Sequence, residues 1–153
     1  MPIFYDVVQI GDGVAILPFI DDKTLLLAQQ YRHPVQETLL ELIQGGITRE
    51  KRDVPGETPE EAAHRELLEE TGYDGTMEHL FTFYPLPATL DMKLHIMRAT
   101  GLQKKQEVCC EFGEYLSVVQ LPYEQVFQEV LSGRHKDSAL AMTILYHHAK
   151  THT

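Results

Sequence analysis

Three glutamates crowd into the five-residue stretch Glu66-Leu67-Leu68-Glu69-Glu70, and only His64 and Arg65 nearby carry basic side chains. At about 100° per residue, a helix sets Glu66 and Glu70 one turn apart on one side, with Glu69 flanking them. A solvated acidic face is the plain alternative. Two features argue against it. Like charges four residues apart cost about a few tenths of a kcal/mol, whereas a helix built for stability alternates Glu with Lys or Arg. Ala62 and Ala63, one turn earlier, read as small residues that leave a ligand room to approach. Uncompensated carboxylate oxygens are the hard donors that Mg²⁺ or Mn²⁺ takes. Arg65 can orient a neighbouring carboxylate through a forked hydrogen bond. Glu57 stands just before this segment.

The elements that must hold these residues are legible from local pattern. Thr58 is a cap, Pro59 suits the first helical position, and Glu61 completes a capping box. The spacing predicts a helix over Pro59 to Thr71, closed by Gly72 in a left-handed conformation. Upstream, Val14 to Ile20 reads as a strand, Asp21-Asp22-Lys23 as a turn, and Thr24 to Gln29 as the return strand of a hairpin. Leu39 to Ile43 is a further short apolar run, followed by a polar loop from Gly45 to Gly56. Met77 to Tyr84, Lys93 to Ala99 and Tyr115 to Gln120 read as strands. A helix from about Pro122 stops at Ser132-Gly133. A last helix, capped by Asp137, carries Leu140, Ile144 and Leu145 on one stripe. This order predicts a mixed sheet with helices on its faces.

The chain has 153 residues, which suits a single domain spanning 1–153. Hydrophobic residues make up 43% and charged residues 24%, which excludes a disordered chain. The net charge of -10 argues against non-specific nucleic-acid binding. It leaves room for a small phosphate ligand, because local cations can invert the field. The adjacent Cys109 and Cys110 close no useful loop and lack zinc-ligand spacing, which points to a reducing compartment. No basic segment with an apolar run follows the start, and no apolar stretch approaches the ~18 residues of a membrane span. A cytoplasmic location and no membrane partner are the expectations. His33, His64, His79, His95 and His135 share no ligand spacing. No Gly-x-Ser-x-Gly or Walker-type loop occurs.

The stretch Arg65 to Tyr73, Arg-Glu-Leu-x-Glu-Glu-x-Gly-Tyr, resembles the core of the Nudix box, and Glu57 occupies the glutamate position eight residues before the arginine. The resemblance implies an α/β/α sandwich with a mixed sheet and a catalytic loop–helix–loop. It implies that Glu66, Glu69 and Glu70 hold the divalent cations, Mg²⁺ or Mn²⁺, with Glu57 assisting and Arg65 orienting. The family's glycine six residues before that glutamate is Lys51 here. The glycines sit earlier, at Gly45 and Gly46, so Ile47 to Val54 looks like an insertion. If this loop supplies a backbone carbonyl to a metal, Gln44 is the candidate.

The flanks are similar to ADP-ribose pyrophosphatases. Gln30 to Val35 with Leu39 to Leu42, Phe83 to Pro87, Glu114 to Pro122, and Ser132-Gly133 with Lys136-Asp137 carry the similarity. That family often has Trp, Pro and Ala at the positions of Leu40, Ile43 and Gln44. It often has Ser-Pro-Gly at Leu86-Pro87-Ala88, and an acidic residue at Met92. From the length of the sequence, the N-terminal domain that many relatives exchange between subunits is not expected. By this resemblance Arg32, Glu41 and Pro87 are candidate substrate contacts, with Arg32 offering a bidentate fork to phosphate or ribose. Glu114, ahead of Glu111, is the candidate base. The implied reaction is metal-dependent hydrolysis of a nucleoside diphosphate sugar, ADP-ribose above all, by a homodimer. Two other readings stand beside it. One is hydrolysis of another nucleotide sugar such as GDP-mannose, or of a nucleoside triphosphate, which substrate competition separates. The other is a non-catalytic nucleotide-binding module, which the full set of Glu57, Arg65, Glu66, Glu69 and Glu70 opposes.

Overall fold

A computed structural model describes residues 6–49, 56–108 and 116–151. The elements run β1 (Gly13–Pro18), β2 (Thr24–Arg32), β3 (Glu37–Glu41), β4 (Ile43–Gly46), α1 (Pro59–Thr71), β5 (Tyr73–Phe83), β6 (Leu94–Lys104), β7 (Leu116–Pro122), α2 (Tyr123–Leu131) and α3 (Ser138–Thr151). They match the expected order, but the strands divide between two sheets. One is mixed, in the order β4-β1-β6-β5, with β1 and β6 parallel. The other, β3-β2-β7, is antiparallel.

This division corrects two expectations. β1 and β2 do not form a hairpin ladder. Between them stand a single bridge, Phe19–Leu25, and the bonds of the turn, among them a 3.0 Å hydrogen bond from Ile20 N to Thr24 O. The reason lies in what β1 buries. All six of its residues are buried, and a strand has two hydrogen-bonding edges, which β4 and β6 already occupy. The run Leu39 to Ile43 is likewise two strands: β3 ends at Glu41, Leu42 crosses, and β4 begins at Ile43 in the other sheet.

Helices cover the sheets on opposite sides, giving the α/β/α layering. Ala62, Ala63 and Leu67 of α1 pack against Val14, Ile16, Ile43, Met97 and Ala99. The alternate residues Ala15, Leu17, Leu94 and Ile96 face the second sheet and the helices α2 and α3, meeting Leu25, Leu27, Val126, Leu140 and Ile144. Period-two alternation along β1 and β6 thus feeds two cores. Burying each large aliphatic side chain contributes roughly 1.5–3 kcal/mol.

The caps form as expected. Glu61 N donates to Thr58 Oγ1 at 3.2 Å, and Thr58 N donates to Glu61 Oε2 at 2.8 Å. Gly72 sits at φ 75° and its N–H donates to Leu68 O, so helix α1 stops one residue after its last acidic turn. Asp137 Oδ1 accepts from Leu140 N at 2.7 Å. On α3 the buried stripe is Ala139, Leu140, Thr143 and Ile144. Leu145 is 44% exposed, because it lies about 100° round the helix from Ile144. Among the described residues no helix is long and apolar enough to cross a membrane.

Candidate active site

Helix α1 presents its acidic face to a cleft of about 1000 Å³ between the two sheets. Arg65, Glu66, Glu69 and Glu70 line one wall, Gln30 and Arg32 of β2 another, Gln44 and Gly45 of β4 the floor. Gln106 to Val108 and Leu116 to Val118 complete the rim. A smaller cavity of about 320 Å³, near Phe19, Arg98 and His147, shares none of these residues.

The carboxylates are ordered by one guanidinium. Arg65 Nε donates to Glu57 Oε1 at 2.7 Å, and Nη1 donates to Glu66 Oε1 at 2.7 Å and to Glu69 Oε2 at 3.1 Å. Nη2 donates to Gly46 O at 2.9 Å and to Glu57 Oε2 at 3.0 Å. Five bonds use the five N–H donors an arginine has. Arg65 therefore holds the site together and keeps no donor for a substrate.

Glu57 is fastened twice more. Thr48 N donates to its Oε2 at 2.8 Å, and Glu57 N donates to Thr48 O at 2.9 Å. Hydrogen bonds from Arg65 first, and from the Thr48 backbone second, bring its pKa down to about 2. Burial pushes Glu66 the other way, above its ordinary value, against the hydrogen bond and charge of Arg65. A partly desolvated carboxylate beside two others is short of positive charge, the condition a cation relieves.

The room beside the carboxylates does not come from Ala62 and Ala63, as their size suggested. Both are fully buried in the core under α1, where their smallness lets the helix approach the sheet. Gly45 makes the room instead. A Cβ there would overlap the Glu66 carboxyl group.

The structure separates the remaining candidates. Arg32 and Gln44 line the cleft. Glu41 does not line it; the residue is 2% exposed and lies behind the wall, bonded to both of them. Pro87 is exposed in the turn after β5 and is not among the residues lining the cleft. Glu111, Glu114, Lys51 and both cysteines lie outside the described residues. The segment 109–115 is bounded by Val108 and Leu116, which both face the cleft.

Residues that sequence reasoning missed are Gly45, Thr48, Gln30, Gln106 and Ser117. A glycine inside a strand signals close approach, so Gly45 had a signal. The others had none. Four of the histidines expected to be structural find local partners: His64 with Asp74, His135 with Glu129, and His79 and His95 with Thr82.

An acidic helix face wired to one arginine, opening on a cleft with a second arginine, on an α/β/α frame, describes a Nudix-type hydrolase. The NUDIX domain pattern matches residues 10–140, and the chain belongs to that family and is an enzyme of its hydrolase class. It is 29% identical to the ADP-ribose pyrophosphatase of Bacillus subtilis, over 92% of this chain and 74% of that protein. It is 30% identical to the GDP-mannose pyrophosphatase of Yersinia enterocolitica (89% and 73%) and 28% identical to the methanol dehydrogenase activator of Bacillus methanolicus (92% and 74%). Among solved structures, an ADP compounds hydrolase matches with a TM-score of 0.70 at 28% identity, over 92% of this chain and 74% of that one. At the family's level, then, the protein is a hydrolase of the ADP-ribose and nucleotide-sugar type.

Proposed function

We propose that the enzyme hydrolyses the diphosphate bond of ADP-ribose, giving AMP and ribose 5-phosphate, with Mg²⁺ or Mn²⁺ as cofactor. The observation that carries this reading is the Arg65 hub, which fixes Glu66 and Glu69 at the wall of one cleft, where Glu70 joins them. Among the described residues no three acidic, imidazole or thiolate groups form a closed metal cage. An open arc of oxygens fits Mg²⁺ all the same, since that ion binds through one or two carboxylates plus substrate phosphates. Glu66, Glu69 and Glu70 would hold it, with the Gln44 carbonyl as a further oxygen donor. A divalent cation bound there supplies charge neutralisation at the phosphate oxygens.

The chain's own residues do the rest. Arg65 fixes Glu57, Glu66 and Glu69. Arg32, across the cleft, takes a diphosphate oxygen. Glu114 orients a water towards one phosphorus; the new P–O bond forms as the bridging P–O bond breaks, and the water's proton passes to the carboxylate. The relatives that act on GDP-mannose keep that nucleotide sugar as the second candidate. A symmetric dimer in the cytoplasm is the expected setting.

The test is a panel of ADP-ribose, ADP-glucose, GDP-mannose, UDP-glucose, dinucleoside polyphosphates and nucleoside triphosphates, with Mg²⁺ and with chelator, products separated by chromatography. Metal-dependent AMP release from ADP-ribose above all others is the expected result. Preference for GDP-mannose would replace the substrate. ADP-ribose binding with no cleavage of anything would replace catalysis by sensing.

A further inference from the structure

Among the described residues Glu41 is the one acidic side chain that is buried, at 2% exposed. It takes hydrogen bonds from two side chains that face the cleft, while staying out of the cleft itself. Arg32 Nε donates to Oε1 at 2.8 Å and Arg32 Nη2 donates to Oε2 at 2.6 Å. Gln44 Nε2 donates to the same Oε2 at 3.0 Å. Arg32 pairs with Glu37 at one end of the β2–β3 ladder and Glu41 pairs with Ala28 at the other, so the long Arg32 side chain folds back along the ladder to reach it, while Gln44 follows Ile43 in β4.

Arginine has two edges that can grip an oxyanion: the side edge, Nε with Nη2, and the end edge, Nη1 with Nη2. Glu41 occupies the side edge. Three N–H donors remain, two on Nη1 and one on Nη2, and one from each nitrogen forms the end edge. The side chain of Arg32 is 37% exposed while that of Glu41 is 3% exposed, so the guanidinium reaches from a buried anchor into the cleft. Its charge is held there by Glu41 first, with Asp137 and Glu70 also within electrostatic reach.

We propose that Glu41 is a positioning residue: it dictates which edge of Arg32 meets the substrate's diphosphate, and it sets the Gln44 amide beside it. The proposal rests on the phosphate-binding role proposed above for Arg32. Its content is that Glu41 touches no ligand and acts through Arg32, so its loss weakens substrate binding and spares the chemical step. The bound oxyanion would be gripped end-on.

A double-mutant cycle tests this. The variants Glu41→Gln, Arg32→Ala and their combination are assayed on the preferred substrate, and AMP binding is measured by calorimetry in chelator. Each single change should raise KM and the AMP dissociation constant roughly tenfold, with kcat within about threefold. The combination should be no worse than Arg32→Ala alone. Multiplication of the two losses to roughly a hundredfold would overturn the proposal, because Glu41 would then act independently. A kcat loss at unchanged KM would overturn it too. If Glu41→Gln does not fold, Arg32→Ala is compared with Arg32→Ala/Glu41→Met, which replaces the buried carboxylate by an apolar group. Equal KM values support the proposal, and a further tenfold rise contradicts it. Cleavage with multiplying losses defeats this inference alone; failure to bind or cleave any nucleotide defeats the proposed function as well.

Discussion

Replacing Gly45 by alanine adds one methyl group at the spot that the Glu66 carboxyl fills. Gly45 lies in β4 opposite Val14 and is not among the glycines with positive φ, so alanine suits the backbone. The collision is with the end of a side chain, which can swing away. Swinging away breaks the 2.7 Å hydrogen bond from Arg65 Nη1 to Glu66 Oε1. A charge-assisted bond of this kind contributes about 1.5–3 kcal/mol. Reduced freedom of the unfolded chain returns about 0.4–1 kcal/mol. The net loss of about 1–2 kcal/mol lowers Tm by roughly 2–8 °C in a domain of this size. Activity should suffer far more. Moving one member of a positioned constellation by about 1 Å costs roughly a hundredfold. The assay is kcat/KM on the preferred nucleotide beside a thermal melt, for Gly45→Ala, Glu66→Gln and both together. The expected result is a folded protein with kcat/KM down at least about a hundredfold, and a double variant no worse than Glu66→Gln. Near-normal kcat/KM in Gly45→Ala would refute the argument that glycine is there for Glu66.

Three further outcomes follow from the geometry. The folded-state pKa of Glu57, about 2, lies below that of an unfolded glutamate, so its stabilisation is fully present above about pH 4.5 and is lost as pH falls towards 2. The stability gap between wild type and Glu57→Gln, from denaturant titrations, should be constant at neutral pH and close across that acid window; a gap that persists at pH 2 contradicts the Arg65 and Thr48 bonds. Ala63→Leu should cost about 1–3 kcal/mol by overpacking the fully buried site under α1, read as a lowered urea midpoint. An unchanged midpoint would return Ala63 to the ligand side. Chelator should abolish turnover and Mg²⁺ restore it, and activity that survives chelation removes the cation from the account.

Much of this was legible locally. The Thr58 to Gly72 signals fix α1 within the chain, and a helix needs only its own spacing to set Glu66, Glu69 and Glu70 on one face. What was not legible depends on partners far along the chain. The Asp21 turn does connect two strands, but β1 had already given both edges to β4 and β6. Ala62 and Ala63 carry no mark of which face they serve until Val14 and Met97 lie beneath them. Glu41 looks like any strand-end carboxylate; its burial follows from Arg32, nine residues earlier, folding back on it. Thr48 lies in the long polar loop, and nothing in its type announces two hydrogen bonds with Glu57.

On the proposed function, the acidic face of α1 is chemical machinery rather than a solvated surface. Glu70→Gln tests it most directly, because Glu70 lines the cleft and the change removes a charge with almost no change in shape. Wild type and variant are compared for turnover of ADP-ribose with Mg²⁺, with circular dichroism and melting recorded on the same samples. At least about a hundredfold loss of turnover with the fold intact is expected. Near-normal turnover by a folded Glu70→Gln enzyme would contradict it.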